Sequence, residues 1–229
     1  MRGNPIRYRY FTSYIRHAGE NPRAIPFTGQ GALDGKVRGL MEAMALDSAG
    51  YTGTYKLIGG RVALDLVNTI SWPNTGRRHD WFDPPDNITA WLGGVRLEPV
   101  AFASSEVAAV CDLRDSIANI MRPLAHGERP RPHAADRFNE YLAAANSRRY
   151  VDPSTLSWCW PRRRLIEAFD PVLIDAAELV TSGDQDRLKH CPSCDWLFQD
   201  QTRNGRRRWC DMADCGSRAK ARSYYHRHK

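Results

Sequence analysis

Four cysteines, Cys191, Cys194, Cys210 and Cys215, fall within the last forty residues of this chain. They run as C-x2-C, fifteen intervening residues, then C-x4-C, a spacing that brings two pairs of thiolates to one tetrahedral metal ion. Four sulfurs fill the usual coordination of zinc and leave no position for an activated water, so one structural Zn2+ is expected. Disulfide pairing is the competing reading, and it requires an oxidising compartment. Residues Met1 to Ile15 mix Arg with Tyr and lack the continuous apolar run of a secretory signal. No window approaches the ~18 uninterrupted apolar residues of a membrane-spanning helix, and a cytoplasmic location is expected. Cys111, in a helical apolar pattern, and Cys159, between Trp158 and Trp160, read as small core residues.

The charge is unevenly placed. The chain of 229 residues carries a net +7. Residues 201–229 hold nine Lys/Arg against two Asp, and residues 1–40 hold seven against two acidic residues. Residues 41–200 are acidic, with 17 basic and 22 acidic side chains. A basic tail on an acidic body is the electrostatic footprint of a polyanionic partner. Four thiolates and one zinc ion sum to −2, so some of Arg206, Arg207, Arg208 and Lys220 are needed simply to offset the centre. Arg203, Arg218, Arg222, Arg227 and Lys229 exceed that need, and phosphate contact accounts for the surplus.

Residues 1–50 are rich in Gly and Pro with little periodicity. They read either as an unfolded or loosely attached extension or as a mis-assigned start, with translation beginning at Met41 or Met44. Globular patterning begins near Tyr55. Val62, Leu66, Val67 and Ile70 form one helical face, with Asp65 and Asn68 in another sector. Pro73 to Pro85 reads as a loop, and Asp86 or Asn87 can cap a short helix through Leu92. The clearest helix follows Ser104, with Val107, Val110, Leu113, Ile117, Ile120 and Leu124 stepping by three or four until Gly127. Another begins near Ala134 and carries Phe138, Leu142 and Ala145. Residues 150–161 suggest a strand or hairpin. Asp170-Pro171 opens a helix through Leu173, Ala177 and Val180 to Gly183. The expected architecture is mainly α: a helical domain over 55–183 with a short β element, then a small four-cysteine finger over 186–229.

In the finger, Cys191-Pro192-Ser193-Cys194 has the form of a zinc knuckle, with Trp196 and Phe198 on one face of a following strand. Cys210 to Cys215 forms a second turn leading into a basic helix over 217–225. The segment CPSCDWLFQDQTRNGRRRWCDMADCGSRAKARSYYHR resembles the CGNR zinc finger. Gly59-Gly60-Arg61-Val62-Ala63-Leu64-Asp65-Leu66-Val67-Asn68-Thr69 resembles the opening signature of the ABATE domain that commonly precedes that finger. The resemblance covers roughly residues 55–229. It implies a bacterial transcriptional regulator in which the finger binds DNA and the ABATE domain senses or regulates. The metal role falls on Cys191, Cys194, Cys210 and Cys215, and the family's basic positions correspond to Arg207, Arg208, Arg218 and Lys220. One departure is visible: the tetrad CGNR stands here as Cys215-Gly216-Ser217-Arg218. Serine can cap a helix in place of asparagine, but any contact made by the asparagine amide is lost.

The leading expectation is zinc-dependent DNA binding. Arg206, Arg207 and Arg208 would contact phosphates, and Arg218 or Arg222 would reach base edges. Dimerisation through the helical body would add contacts. Stacking of Trp209, Tyr224 or Tyr225 on unpaired bases would instead suit RNA, although covering the zinc site is their simpler role. The competing class is a protein-interaction or ligand-sensing module with a purely structural finger. Asp65, Asn68, Arg77 and His79 are candidate pocket residues there, although capping and solvated surface explain each of them. An enzyme is not expected. His126-Gly127-Glu128 upstream of Cys191 and Cys194 superficially resembles a zinc deaminase. However, residue 190 is His rather than Pro, and Cys210 and Cys215 close the site. His226 and His228 stand too close together for a finger built on two cysteines and two histidines.

Overall fold

The computed structural model describes residues 43–71, 78–154, 156–183 and 185–227. The expectations for residues 1–42, for Arg77 and for His228 lie outside them. Six α-helices and three two-stranded antiparallel sheets are found among the described residues. None of the helices is long and apolar enough to cross a membrane.

The short helix α1 (Val62–Val67) is buried along its whole length. One first-turn amide finds its acceptor outside the helix: Ala63 N–H donates to Asp175 Oδ2 at 3.0 Å, and the Arg61 guanidinium pairs with the same carboxylate at 2.8 Å. A carboxylate on another helix thus satisfies a donor that the sequence leaves uncapped. That helix is α5 (Asp170–Thr181), which opens with Pro171 and ends before Gly183 at φ +84°. The longest helix, α3 (Val107–Ala125), buries Val110, Leu113, Ile117 and Ile120, as the periodicity predicts, and stops at Gly127 with φ +76°. It packs on α1, on α5 and on α4 (Pro132–Arg148), which buries Ala134, Phe138 and Ala145. Helix α2 (Asp86–Gly94) contributes Trp91, which stacks on Phe169 with centroids 5.7 Å apart. Trp91 Nε1 donates to the Tyr55 hydroxyl, which in turn donates to the Asp65 carbonyl.

Strands β1 (Ile70–Ser71) and β2 (His79–Asp80) pair antiparallel, so the stretch read as a loop from Pro73 contains a strand. Strands β3 (Tyr150–Asp152) and β4 (Ser157–Cys159) form the anticipated hairpin, with Val151 opposite Trp158. Neither Asp86 nor Asn87 caps α2. The Asn87 amide instead donates to the carbonyls of Asp47 and Trp81, and its Oδ1 accepts from Asp47 N–H. The expectation of a loose segment through residue 50 therefore fails from Ala43 onward. Ala43 bridges Lys56, Met44 N–H donates to the Tyr55 carbonyl at 2.9 Å, and Met44 and Leu46 pack on the core.

Asp65 is buried on α1 and accepts from Gly59 N–H at 2.8 Å. Burial pushes its carboxyl up to about 7, against the opposing pull of the Gly59 and Ile58 amides. The folded chain therefore keeps a proton that the unfolded chain releases near its ordinary value, and stability falls as pH rises between roughly 4 and 7. In Asp65→Asn, the slope over that window becomes shallower by up to ~1.4 kcal/mol per pH unit. Urea titrations at about pH 5.5 and pH 7 measure this; an unchanged slope refutes it.

Candidate metal centre and basic helix

The C-terminal segment is built into the helical body. Strands β5 (Leu188–His190) and β6 (Leu197–Gln199) pair antiparallel on either side of Cys191-x2-Cys194, with His190 opposite Leu197. Asp195 takes the left-handed conformation, φ +60°, that closes the knuckle, and its N–H donates to the Cys191 carbonyl. Trp196, Leu197 and Phe198 are all buried in the common core. The outer edge of β6 is read by a side chain: Asn68 Oδ1 accepts from Leu197 N–H at 2.8 Å, and Asn68 Nδ2 donates to the Leu197 carbonyl at 2.9 Å. Next to it, Gln199 N–H donates to the Gly59 carbonyl. A Cβ on Gly59 would lie 2.8 Å from that of Leu64, so the turn admits only glycine without rearrangement. Asp65 and Asn68 are thus internal fasteners, and His79 stacks on Tyr51 at 4.3 Å.

Four sulfurs converge at the knuckle. The Sγ atoms of Cys191, Cys194, Cys210 and Cys215 all lie within 4.8 Å of one another. Cys194 and Cys210 are 3.4 Å apart, and Cys210 and Cys215 are 3.6 Å apart. Zn–S bonds of about 2.3 Å in a tetrahedron place sulfurs about 3.8 Å apart, whereas a disulfide would require about 2.05 Å. None of the four cysteines is disulfide-bonded, and the donor set fits a closed zinc site. Hydrogen bonds from the other three sulfurs drive the Cys191 thiol well below its usual range, while the Cys194 and Cys210 thiols are pushed up. Protons still held by the cluster leave as the ion binds.

The arginines divide between scaffold and surface. Arg207 is half-buried: Nε donates to the Trp209 carbonyl at 3.0 Å, Nη2 bonds the Cys210 carbonyl, and the guanidinium lies 4.6 Å from the Phe198 centroid. Sequence grouped Arg207 with its neighbours as a phosphate contact, but the geometry commits its fork to holding the second cysteine turn. Asp200, fully buried, accepts from Arg207 N–H and from Lys189. Arg206 and Arg208 are exposed. A π-helical turn, Met212–Gly216, leads into α6 (Ser217–Arg227), which buries no residue. Arg218 Nη2 approaches Cys215 Sγ at 3.1 Å, and that contact raises the guanidinium's pKa. Arg222 donates to Ser193 Oγ at 3.1 Å, whereas Lys220 points to solvent with no ion pair among the described residues. Ser217 does not cap α6 as expected; its hydroxyl donates to the Met212 carbonyl, and Asp211 accepts from Ala213 N–H instead. Tyr224 and Tyr225 are exposed and do not cover the zinc site, while Trp209 is partly buried against the core.

The cysteine spacing marks the cluster, but no sequence motif marks Lys56, Arg122 or Asp211. Lys56 reaches Asp211 at 2.9 Å, and Arg122 reaches Asp195 at 2.7 Å; both ion pairs tie the body to the finger. Nothing in their local sequence marks pairs so far apart.

Residues 60–183 match the ABATE family, described as "Putative stress-induced transcription regulator". Residues 187–228 match the CGNR zinc finger. No curated protein matches the chain. The family's description is that of a regulator and not of an enzyme. With more than half of its length in the first match and all four clustered cysteines in the second, the chain belongs to the ABATE family and carries the zinc site of a CGNR finger.

Proposed function

We propose that this protein is a DNA-binding transcription regulator that grips the duplex through the surface formed by α6 and the exposed arginines before Cys210. The zinc ion, held by Cys191, Cys194, Cys210 and Cys215, shapes that surface, and the helical body over 55–183 carries the regulatory role. The observation that carries the reading is α6 itself. Over eleven residues it has no buried side chain and no carboxylate, and it presents Arg218, Lys220, Arg222 and Arg227. A helix polar all round has no packing reason to be so basic. Phosphate is the partner its charge suits. Arg206, Arg208 and Lys220 would contact backbone, while Arg218 and Arg222, one turn apart, would share the edge nearest the zinc site.

The test is fluorescence anisotropy of a labelled duplex against zinc-loaded protein over a salt series. Deleting everything from Cys191 is not a clean control, because it also removes Trp196, Leu197 and Phe198 from the core. Lys220→Ala with Arg206→Ala, two exposed changes, is cleaner. Wild-type affinity falls as salt rises, and the pair lowers the slope of log K against log salt by ~1.8, two phosphates at ~0.9 each. An unchanged slope removes α6 from the interface.

A second reading has one observation in its favour. Asn68 and Gly59 bind β6 as part of the body, as expected if the finger is purely structural in a protein-interaction or sensing module. Zinc-loaded protein with no duplex affinity at low salt selects that reading.

A further inference from the structure

His126 and Glu128 drew notice in the sequence as a motif, and the zinc finger leaves them unused. His126 follows the last turn of α3 and is exposed. The fold places it against the outer side of the knuckle, where its ring stacks on His190 with centroids 3.9 Å apart. Asp195 joins them, with Oδ1 3.7 Å from His190 Nδ1. One ligand atom from each of His126, His190 and Asp195 lies within 4.8 Å of the others. We propose that these three residues form a second metal site, distinct from the four cysteines, for a divalent ion of the zinc, nickel or cobalt type.

The chemistry of the set supports this choice. Two imidazoles and one carboxylate suit a borderline transition ion better than magnesium or calcium, which take oxygen ligands. The carboxylate is held in place: Arg122 Nη1 bonds Asp195 Oδ2 at 2.7 Å and the Asp195 carbonyl at 3.2 Å. That contact leaves Oδ1 on the histidine side. A partner that orients a ligand without occupying the donor atom is the usual outer support of a metal site. His190 and Asp195 directly flank Cys191 and Cys194 in sequence, so the dianionic tetrathiolate lies beside the site and favours a second cation.

Three ligands leave coordination open, unlike the closed cysteine cluster. His126 also lines an open cleft of about 500 Å³, with Arg122, Glu128, Arg131 and His133 on its walls. The ion would therefore exchange with solution, whereas the cysteine-bound zinc stays. His126 belongs to the body and the other two ligands to the finger, so occupancy would bind one to the other at a point that Asn68 does not reach.

Tag-free protein carrying one zinc equivalent, titrated with Ni2+ in a calorimeter, provides the test, with zinc release followed in parallel. The wild type takes up one Ni2+ without losing zinc. His126→Ala, an exposed change away from the cysteines, keeps its zinc and its melting profile but binds Ni2+ at least ten-fold more weakly. His190→Ala shows the same loss. The proposal is overturned if the wild type takes up no Ni2+, if His126→Ala binds it equally well, or if the heat accompanies stoichiometric zinc release.

Discussion

Cys210→Ser leaves the protein without stoichiometric zinc and lowers its thermal midpoint by more than about 10 °C, because the ion's binding energy is folding energy. Structural zinc contributes on the order of 10 kcal/mol or more in small fingers at neutral pH. A detached finger would lose that stability alone and leave the rest of the protein unchanged. Here the knuckle hairpin supplies Trp196, Leu197 and Phe198 to the same core as Trp91 and Phe169. Without the ion, nothing holds the four sulfurs together, and the turn closed by Asp195 loses its anchor. Removing zinc with a chelator has the same effect as the substitution. Metal analysis and calorimetry on one sample check this result. A variant that keeps its midpoint within about 2 °C while losing zinc would show that the body folds independently.

Arg114→Ala costs about 3–5 kcal/mol, measured by urea unfolding, because it leaves a carboxylate facing the interior without its partner. Arg114 is 1% exposed on α3. Its two terminal nitrogens fork onto Asp80 at 2.7 and 2.8 Å, and one of them also donates to Thr69 Oγ1. Phe82 lies under the guanidinium at 5.6 Å. The fork holds the Asp80 carboxyl below its ordinary value despite burial. One arginine therefore joins α3, the end of α1 and the β1–β2 hairpin. Arg114→Met with Asp80→Asn removes both charges and recovers part of the loss. If Arg114→Ala costs less than about 1 kcal/mol, the fork is only a surface pair.

The helices were legible because their packing is periodic. α3 and α4 bury most of the residues that their three-and-four steps pick out, with Val107, Leu124 and Leu142 only partly buried against the core, and Gly127 and Gly183 stop helices where expected. The cysteine cluster was legible because sulfur spacing alone fixes it. The polar fasteners were not. Asn68 is one residue in an apolar helix until Leu197 appears opposite it, 129 positions later. Asn87 read as a cap because caps are local, whereas its actual partner, Asp47, lies in a stretch with no periodicity. Arg207 sat in a run of three arginines, and charge counting gives adjacent arginines one role. Burial separates them: the alternation of exposed, half-buried and exposed through Arg206, Arg207 and Arg208 turns only the middle one inward.

The clasp of Asn68 on Leu197 also orders events during synthesis. Domains made N-terminal first usually fold as they leave the ribosome. Helix α1 is made early, yet its neighbours in the core include residues of β6, translated well over a hundred codons later. The parts of α1 and α3 that β5 and β6 cover must wait until those strands emerge and the four cysteines capture their ion. A cell short of zinc would therefore accumulate chains with an unfinished interior, exposed to proteases and chaperones, rather than a finished regulator with an idle finger.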